Sequence, residues 1–167
     1  MALFDDIMDG LRTARDVTPD SETFEAKATV GEHEVEVIAQ DFDRLGIKIH
    51  KLRVRAQGES VPPQQLNQRL QSQGERLASR ETGPFKHLKI TEIDGRLGGG
   101  ILRTDAKAME RGYFYEAELK GGDEIEIRRL KRSPDGARED IGFHSSDETF
   151  PDMVDTLKDG LSGTRED

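Results

Sequence analysis

Paired carboxylates, scattered histidines, a glycine-rich run and two basic runs are the residues of this 167-residue chain whose types could do chemistry. Two carboxylates flanking a bond can act as general acid and base. Glu116/Glu118 and Glu124/Glu126, however, stand two apart beside apolar neighbours, the spacing of the solvated side of a half-buried strand. His33, His50, His87 and His144 contain no pair at metal-ligand spacing, and the chain has no cysteine to complete a transition-metal set. Gly95-Arg96-Leu97-Gly98-Gly99-Gly100 has the glycine density of a phosphate loop. No Gly-Lys-Ser/Thr follows it, and it runs into the strand-like Ile101-Leu102-Arg103-Thr104. A strand that needs a bulge, or room for a neighbouring ring, accounts for those glycines. No serine occupies a Gly-x-Ser-x-Gly setting. The sequence thus predicts no catalytic residue, no metal ligand and no cofactor.

Two basic runs remain: Lys48, His50, Lys51, Arg53, Arg55, and Arg128, Arg129, Lys131, Arg132. On strands they make either a basic binding surface, with Lys48, His50, Lys51, Arg53, Arg55, Arg128 and Arg129 as its candidate residues, or cross-strand ion pairs with acidic neighbours. No aromatic residue is interleaved with either run, and the net charge is −9, so the runs argue against nucleic acid. That charge is uneven: residues 1–43 are strongly acidic, 44–93 basic and 94–167 acidic again. Such asymmetry bears on partners and solubility, not on fold.

The elements that must carry these residues are legible as a rhythm of turns. Val30-Gly31-Glu32-His33, Leu45-Gly46, Asp94-Gly95, Gly121-Gly122-Asp123 and Pro134-Asp135-Gly136 each separate stretches in which apolar and charged residues alternate. That is the pattern of antiparallel hairpins with one buried face. A two-residue turn at Glu32-His33 predicts Val30 opposite Val35 and Ala28 opposite Val37. Ile47 and Ile49 have one parity and Leu52, Val54 and Ala56 the other, which predicts a bulge or sheet-switching bend near His50-Lys51. A type I′ turn at Asp94-Gly95 predicts Glu92 opposite Leu97, Ile90 opposite Gly99 and Leu88 opposite Ile101. A three-residue loop, Gly121-Gly122-Asp123, predicts Leu119 opposite Ile125 and Ala117 opposite Ile127, and the face Tyr113, Tyr115, Ala117, Leu119. A last short strand holds Ile141 and Phe143.

Three helices complete the pattern. Leu3, Phe4, Ile7, Met8 and Leu11 form a stripe in the first. The second covers residues 60–80, with Ser60 near its cap, Pro62-Pro63 in its first turn, Leu66, Leu70, Gly74 and Leu77 inward, and glutamines outward. The spacing predicts that Gly74 lies against another backbone. The third starts at Ser145 or Ser146 with Glu148 in a capping box, carries Phe150, Met153, Val154, Leu157 and Leu161, and ends at Gly160 or Gly163.

Leu, Ile, Val and Phe supply 38 of the 167 residues, just above the level at which chains fail to fold. The expectation is one α+β domain over residues 1–161, with 162–167 a disordered tail. It has a twisted antiparallel sheet of about eight strands, open, split or curled toward a barrel, with three packed helices in the order α-βββ-α-βββββ-α. No stretch approaches the roughly 20 apolar residues of a membrane span, and no targeting signal is read, so the expected location is the cytoplasm. In element order and acidity the chain resembles type III secretion chaperones, small acidic proteins of helix–three-strand–helix layout; the resemblance implies a chaperone-like role. The expected function is a non-catalytic protein-binding or adaptor module that contacts a protein partner or its own copy as a homodimer. The alternatives are a small-ligand binder or enzyme with a pocket beneath the second helix near Gly99 and Tyr113/Tyr115, and nucleic-acid binding by the basic strands.

Overall fold

A computed structural model describes residues 2–58 and 61–162. The expected cap at Ser60, helix end at Gly163 and tail beyond Ser162 lie outside the described residues. Helix α1 (Ala2–Val17) leads into strands β1 (Phe24–Val30), β2 (His33–Asp43) and β3 (Gly46–Ala56). Helix α2 (Pro63–Ala78) follows, then β4 (Leu88–Asp94), β5 (Gly99–Thr104), β6 (Tyr113–Lys120), β7 (Glu124–Arg132), β8 (Arg138–Asp140), β9 (Phe143–Ser146) and helix α3 (Thr149–Leu161). The strands form one antiparallel sheet of order β1-β2-β3-β7-β6-β5-β4, which is open, with β8 added beside β7 and β9 beside β3. The expected α+β class and element order hold. The stretch around Ile141 and Phe143 forms two short strands, parted at Ile141-Gly142.

Register explains which face is buried. The β6/β7 loop is Gly121-Gly122-Asp123, and Leu119 faces Ile125 while Ala117 faces Ile127, as expected. Both glycines have positive φ, +65° and +79°, a conformation costly for other residues. In the first hairpin the loop is Gly31-Glu32, which sets Ala28 opposite Val35 and Ala26 opposite Val37 instead of the expected pairs. The slip is two residues, so the same side chains stay on the core face.

The β4/β5 hairpin departs further. Its loop is four residues, Gly95 to Gly98, and Asp94 pairs with Gly99. The Asp94 carboxylate accepts the N–H groups of Arg96 (3.0 Å) and Leu97 (3.3 Å), which fixes the longer loop. Thr91 is an extra residue between the Ile90–Leu102 and Glu92–Ile101 pairs. Leu102 and Gly100 therefore face the core and Leu97 is exposed, the reverse of the expected parity. A side chain at Gly100 would meet the Ile93 methyl at 2.7 Å, so the glycine makes room for Ile93 and not for a ring.

The phase change in β3 falls where expected. Ile38 pairs with Lys51 but Ala39 with Ile49, leaving His50 as the extra residue, and Gln40 is a compensating extra on β2. Burial accordingly switches from Ile47/Ile49 to Leu52/Val54. The outer neighbour of β3 switches too: residues 46–49 pair with β9 and residues 52–55 with β7.

All three helices cover one face of the sheet. The stripes of α1 and α3 are buried with the inward residues of β1–β3, β5–β7 and β9 in one cluster, and Phe4 meets Phe150 edge to face at 6.0 Å. In α2, Gly74 lies against the Ile90 side chain, which a Cβ at that position would meet at 3.1 Å, so its close neighbour is a side chain of β4 and not backbone. Gly160 sits inside the last turn of α3, instead of ending it, and brings that helix against Leu77 of α2. Gln73 is also buried, against the expectation of outward glutamines; its Nε2 donates to the carbonyls of Gly122 (2.9 Å) and Leu161 (3.2 Å). At the start of α3, Ser146 Oγ accepts the N–H groups of Glu148 and Thr149, and Thr149 Oγ1 accepts the Ser146 N–H at 2.9 Å. The reciprocal cap thus uses Thr149 in place of Glu148, while Ser145 lies in β9 opposite Ile47.

Candidate functional site

Alternation along the strands gives the sheet a second face that, among the described residues, no helix covers, and most of the expected candidate residues lie on it. Lys51, Arg53, Arg55 and Arg128 are held there by carboxylates of neighbouring strands. Glu126 takes Arg53 at 3.2 Å, Lys120 at 2.9 Å and Lys51 at 3.5 Å. Arg53 also reaches Glu36 and Glu124, and Arg55 reaches Glu124 at 3.5 Å. Glu116 takes Arg103 at 2.8 Å and Arg128 at 2.9 Å. Burial opposes ionisation of Glu116 and Glu126, but the hydrogen bonds from Arg103 and Arg128, and from Lys120 and Arg53, outweigh it and hold both carboxyls below the usual range. His50 Nε2 stands 3.4 Å from Asp140, and Lys48 is exposed at the β9 side of β3. Glu116, Glu124 and Glu126 are therefore the acidic half of an ion ladder, and cross-strand pairing accounts for Lys51, Arg53 and Arg55 of the first basic run.

Arg129 lies on the opposite face. Consecutive residues of a strand point opposite ways, so Arg128 joins the ladder and Arg129 does not. The register of β6 and β7 sets Arg129 across from Tyr115 and Lys131 across from Tyr113. The Arg129 guanidinium stands 5.1 Å from the Tyr113 ring centre and 5.4 Å from that of Tyr115, and Lys131 Nζ is 5.2 Å from Tyr113. Tyr115 packs edge to face on Phe143 at 5.6 Å, and its N–H donates to Thr104 Oγ1 at 2.8 Å. Burial pushes the Tyr115 hydroxyl up, and the Arg129 charge opposes that in part. Among the described residues Arg129 and Lys131 enter no ion pair, and the buried Arg129 Nε has no hydrogen-bond acceptor.

Tyr113, Tyr115 and Arg129 line a cavity of about 210 Å³ with Lys86, His87, Thr104 and Glu110. His87 is placed there by a left-handed backbone, φ +68°, between a short 3-10 turn (Gly83–Phe85) and β4, and its carbonyl accepts the Asp105 N–H at 2.8 Å. A non-glycine residue in that region is strained, and such positions cluster at functional sites. The pocket expected beneath α2 is thus divided. Tyr113 and Tyr115 open at one end of the sheet, while Gly99 lines a separate cleft with Leu97, Ile101 and Glu118. A larger groove of about 510 Å³ runs between Pro63 and Asn67 of α2 and the β4/β5 loop. Two of its polar groups are already committed: Asn67 Oδ1 accepts the Gly95 N–H, and Asp94 caps the turn.

The four histidines stand on separate elements, and among the described residues no group of three His, Asp or Glu is placed to hold a metal. The Tyr113–Lys131 and Tyr115–Arg129 pairs are invisible along the chain, where no aromatic stands among the basic residues. Their signal lies across the strands: continuing the Leu119–Ile125 register outward produces both pairs. Compared with protein families, curated proteins and solved structures, the chain has no significant match.

Proposed function

We propose that the protein is a non-catalytic binding module that seats one side chain of a protein partner in the Tyr113–Tyr115–Arg129 pocket. The observation that carries this reading is the contrast between neighbours on β7: Arg128 is held by Glu116 on the open face, whereas Arg129 and Lys131 lie on tyrosine rings without a counter-ion among the described residues. Size supports it. A cavity of about 210 Å³ is below the roughly 300–1,000 Å³ of typical small-molecule sites, yet it admits an amino-acid side chain. A cytoplasmic setting fits a chain without cysteine.

The same rings also favour a second reading, single-stranded nucleic acid, because aromatic and basic residues alternate across the strands. Arg129 and Lys131 already lie over the Tyr113 ring, however, which competes with base stacking. The test is a photo-crosslinking residue in place of Tyr113, compared with one in place of Arg55 on the open face, in the native cell. The reading expects a protein adduct, to another chain or a second copy, from position 113 and none from position 55. Nucleic-acid adducts at 113, or adducts from 55 alone, overturn it.

A further inference from the structure

The geometry points to a carboxylate as the group this pocket recognises: we infer that an Asp or Glu side chain of the partner binds Arg129, with Lys86 adding charge at the opening. The inference rests on the reading that a partner side chain enters here. Lys86 and Arg129 line the cavity, Lys131 adjoins it, and Glu110 is the one acid in its lining. The local balance is positive inside a chain of net charge −9. Arg129 is held in place by two tyrosine rings, so little side-chain freedom is lost when it donates, and a planar guanidinium matches a carboxylate through two parallel hydrogen bonds. The Arg129 guanidinium enters no ion pair among the described residues, and of its nitrogens only Nε is buried without an acceptor, so the terminal N–H groups are the donors open to a carboxylate. A cationic group is disfavoured because the protein's own cations occupy the ring faces. Lys86 and Arg129 against Glu110 leave the lining one positive charge, which the single negative charge of an Asp or Glu side chain matches.

The probes are sodium acetate, sodium phosphate and sodium chloride at equal ionic strength, titrated into the ¹⁵N-labelled full chain while the Arg129 Nε–Hε resonance is followed. Acetate is expected to shift that resonance saturably and chloride is not. Arg129→Gln, followed through the Tyr113 and Tyr115 ring resonances, should weaken acetate binding by about tenfold or more, since each tenfold is a single good charged hydrogen bond. Lys51→Gln, on the open face, should change it by less than about twofold. If Arg129→Gln fails to fold, Lys86→Gln, at an exposed position, serves instead and should still weaken binding measurably. A non-saturable shift, an equal response to chloride, or binding unaffected by these pocket variants overturns the inference, and tighter binding of phosphate overturns the choice of carboxylate. A protein adduct at position 113 without acetate binding removes the charge assignment alone; acetate binding without any protein adduct removes the protein-partner reading alone.

Discussion

Replacing Phe150 by alanine tests whether α3 is part of the core. Phe150 is fully buried and its ring meets Phe4 of α1 edge to face at 6.0 Å, so one side chain ties two helices across the sheet. Truncating a buried phenylalanine costs about 3–5 kcal/mol, of which roughly 0.5–1.5 kcal/mol is the aromatic pair. At this chain length each kcal/mol lowers the melting temperature by about 2–4 °C, so the expected fall is about 6–20 °C. Stability totals only about 5–15 kcal/mol for domains of this kind, so the variant keeps a small margin. Calorimetry and urea unfolding read the loss independently, and Phe150→Leu should recover most of it. A second arm deletes the chain after Asp147, which keeps β9 but removes the helix. The expected product exposes Leu77 and Ile125, which now lie against Gly160, and aggregates in light scattering. A melting temperature within about 2 °C of the parent for Phe150→Ala, or a monodisperse, cooperatively melting truncation, would refute the core assignment.

Acid sensitivity should follow from Glu116 and Glu126. Their folded-state carboxyls lie below the usual range, so the stability they add is present above the unfolded value near pH 4.3 and is lost as pH falls through the folded value. Urea midpoints measured from pH 7 down to pH 2 should show this slope, flattened in Glu116→Gln, and an unchanged slope in that variant removes Glu116 as a source. Gln73→Met should cost about 1–3 kcal/mol in denaturant unfolding, because the carbonyls of Gly122 and Leu161 lose their buried donor. Gly160→Leu should destabilise by about 1–3 kcal/mol or more, since even a Cβ there would stand 3.1 Å from Leu77, and an unchanged urea midpoint would mean that α2 and α3 can part freely.

What was legible in the sequence was whatever parity alone decides. Ile47/Ile49 against Leu52/Val54 located the bulge at His50, because no regular strand buries both pairs on one side. The Gly121–Asp123 loop was readable for the same reason: only a three-residue loop keeps Leu119 and Ile125 on one face. Parity failed where both faces are apolar. Ile101 and Leu102 are adjacent, so either could turn inward, and the choice fell to a four-residue loop and an extra Thr91 that hydrophobic pattern does not encode. Gln73 was missed because its burial depends on two carbonyls brought from Gly122 and Leu161, distant in sequence. Of the candidate binding residues, Arg129 parts from the other six because neighbours on a strand face opposite ways, and its tyrosines lie on the adjacent strand.

The change of neighbour along β3 has a consequence for how the chain is made. As synthesis proceeds, β1, β2 and β3 can pair as soon as Ala56 has emerged, since each contact spans few residues. The far edge of β3 must then wait: residues 52–55 meet β7 only after Ile127 is available, and Gly46 meets Ser146, a hundred positions later. During that interval an apolar strand containing Ile47, Ile49, Leu52 and Val54 presents unsatisfied N–H and C=O groups to its surroundings, the template on which neighbouring nascent chains associate. The nascent protein is therefore most vulnerable midway through translation, and a slower or stalled ribosome between Ala56 and Ser146 should reduce the soluble yield more than one stalled before β3 is made.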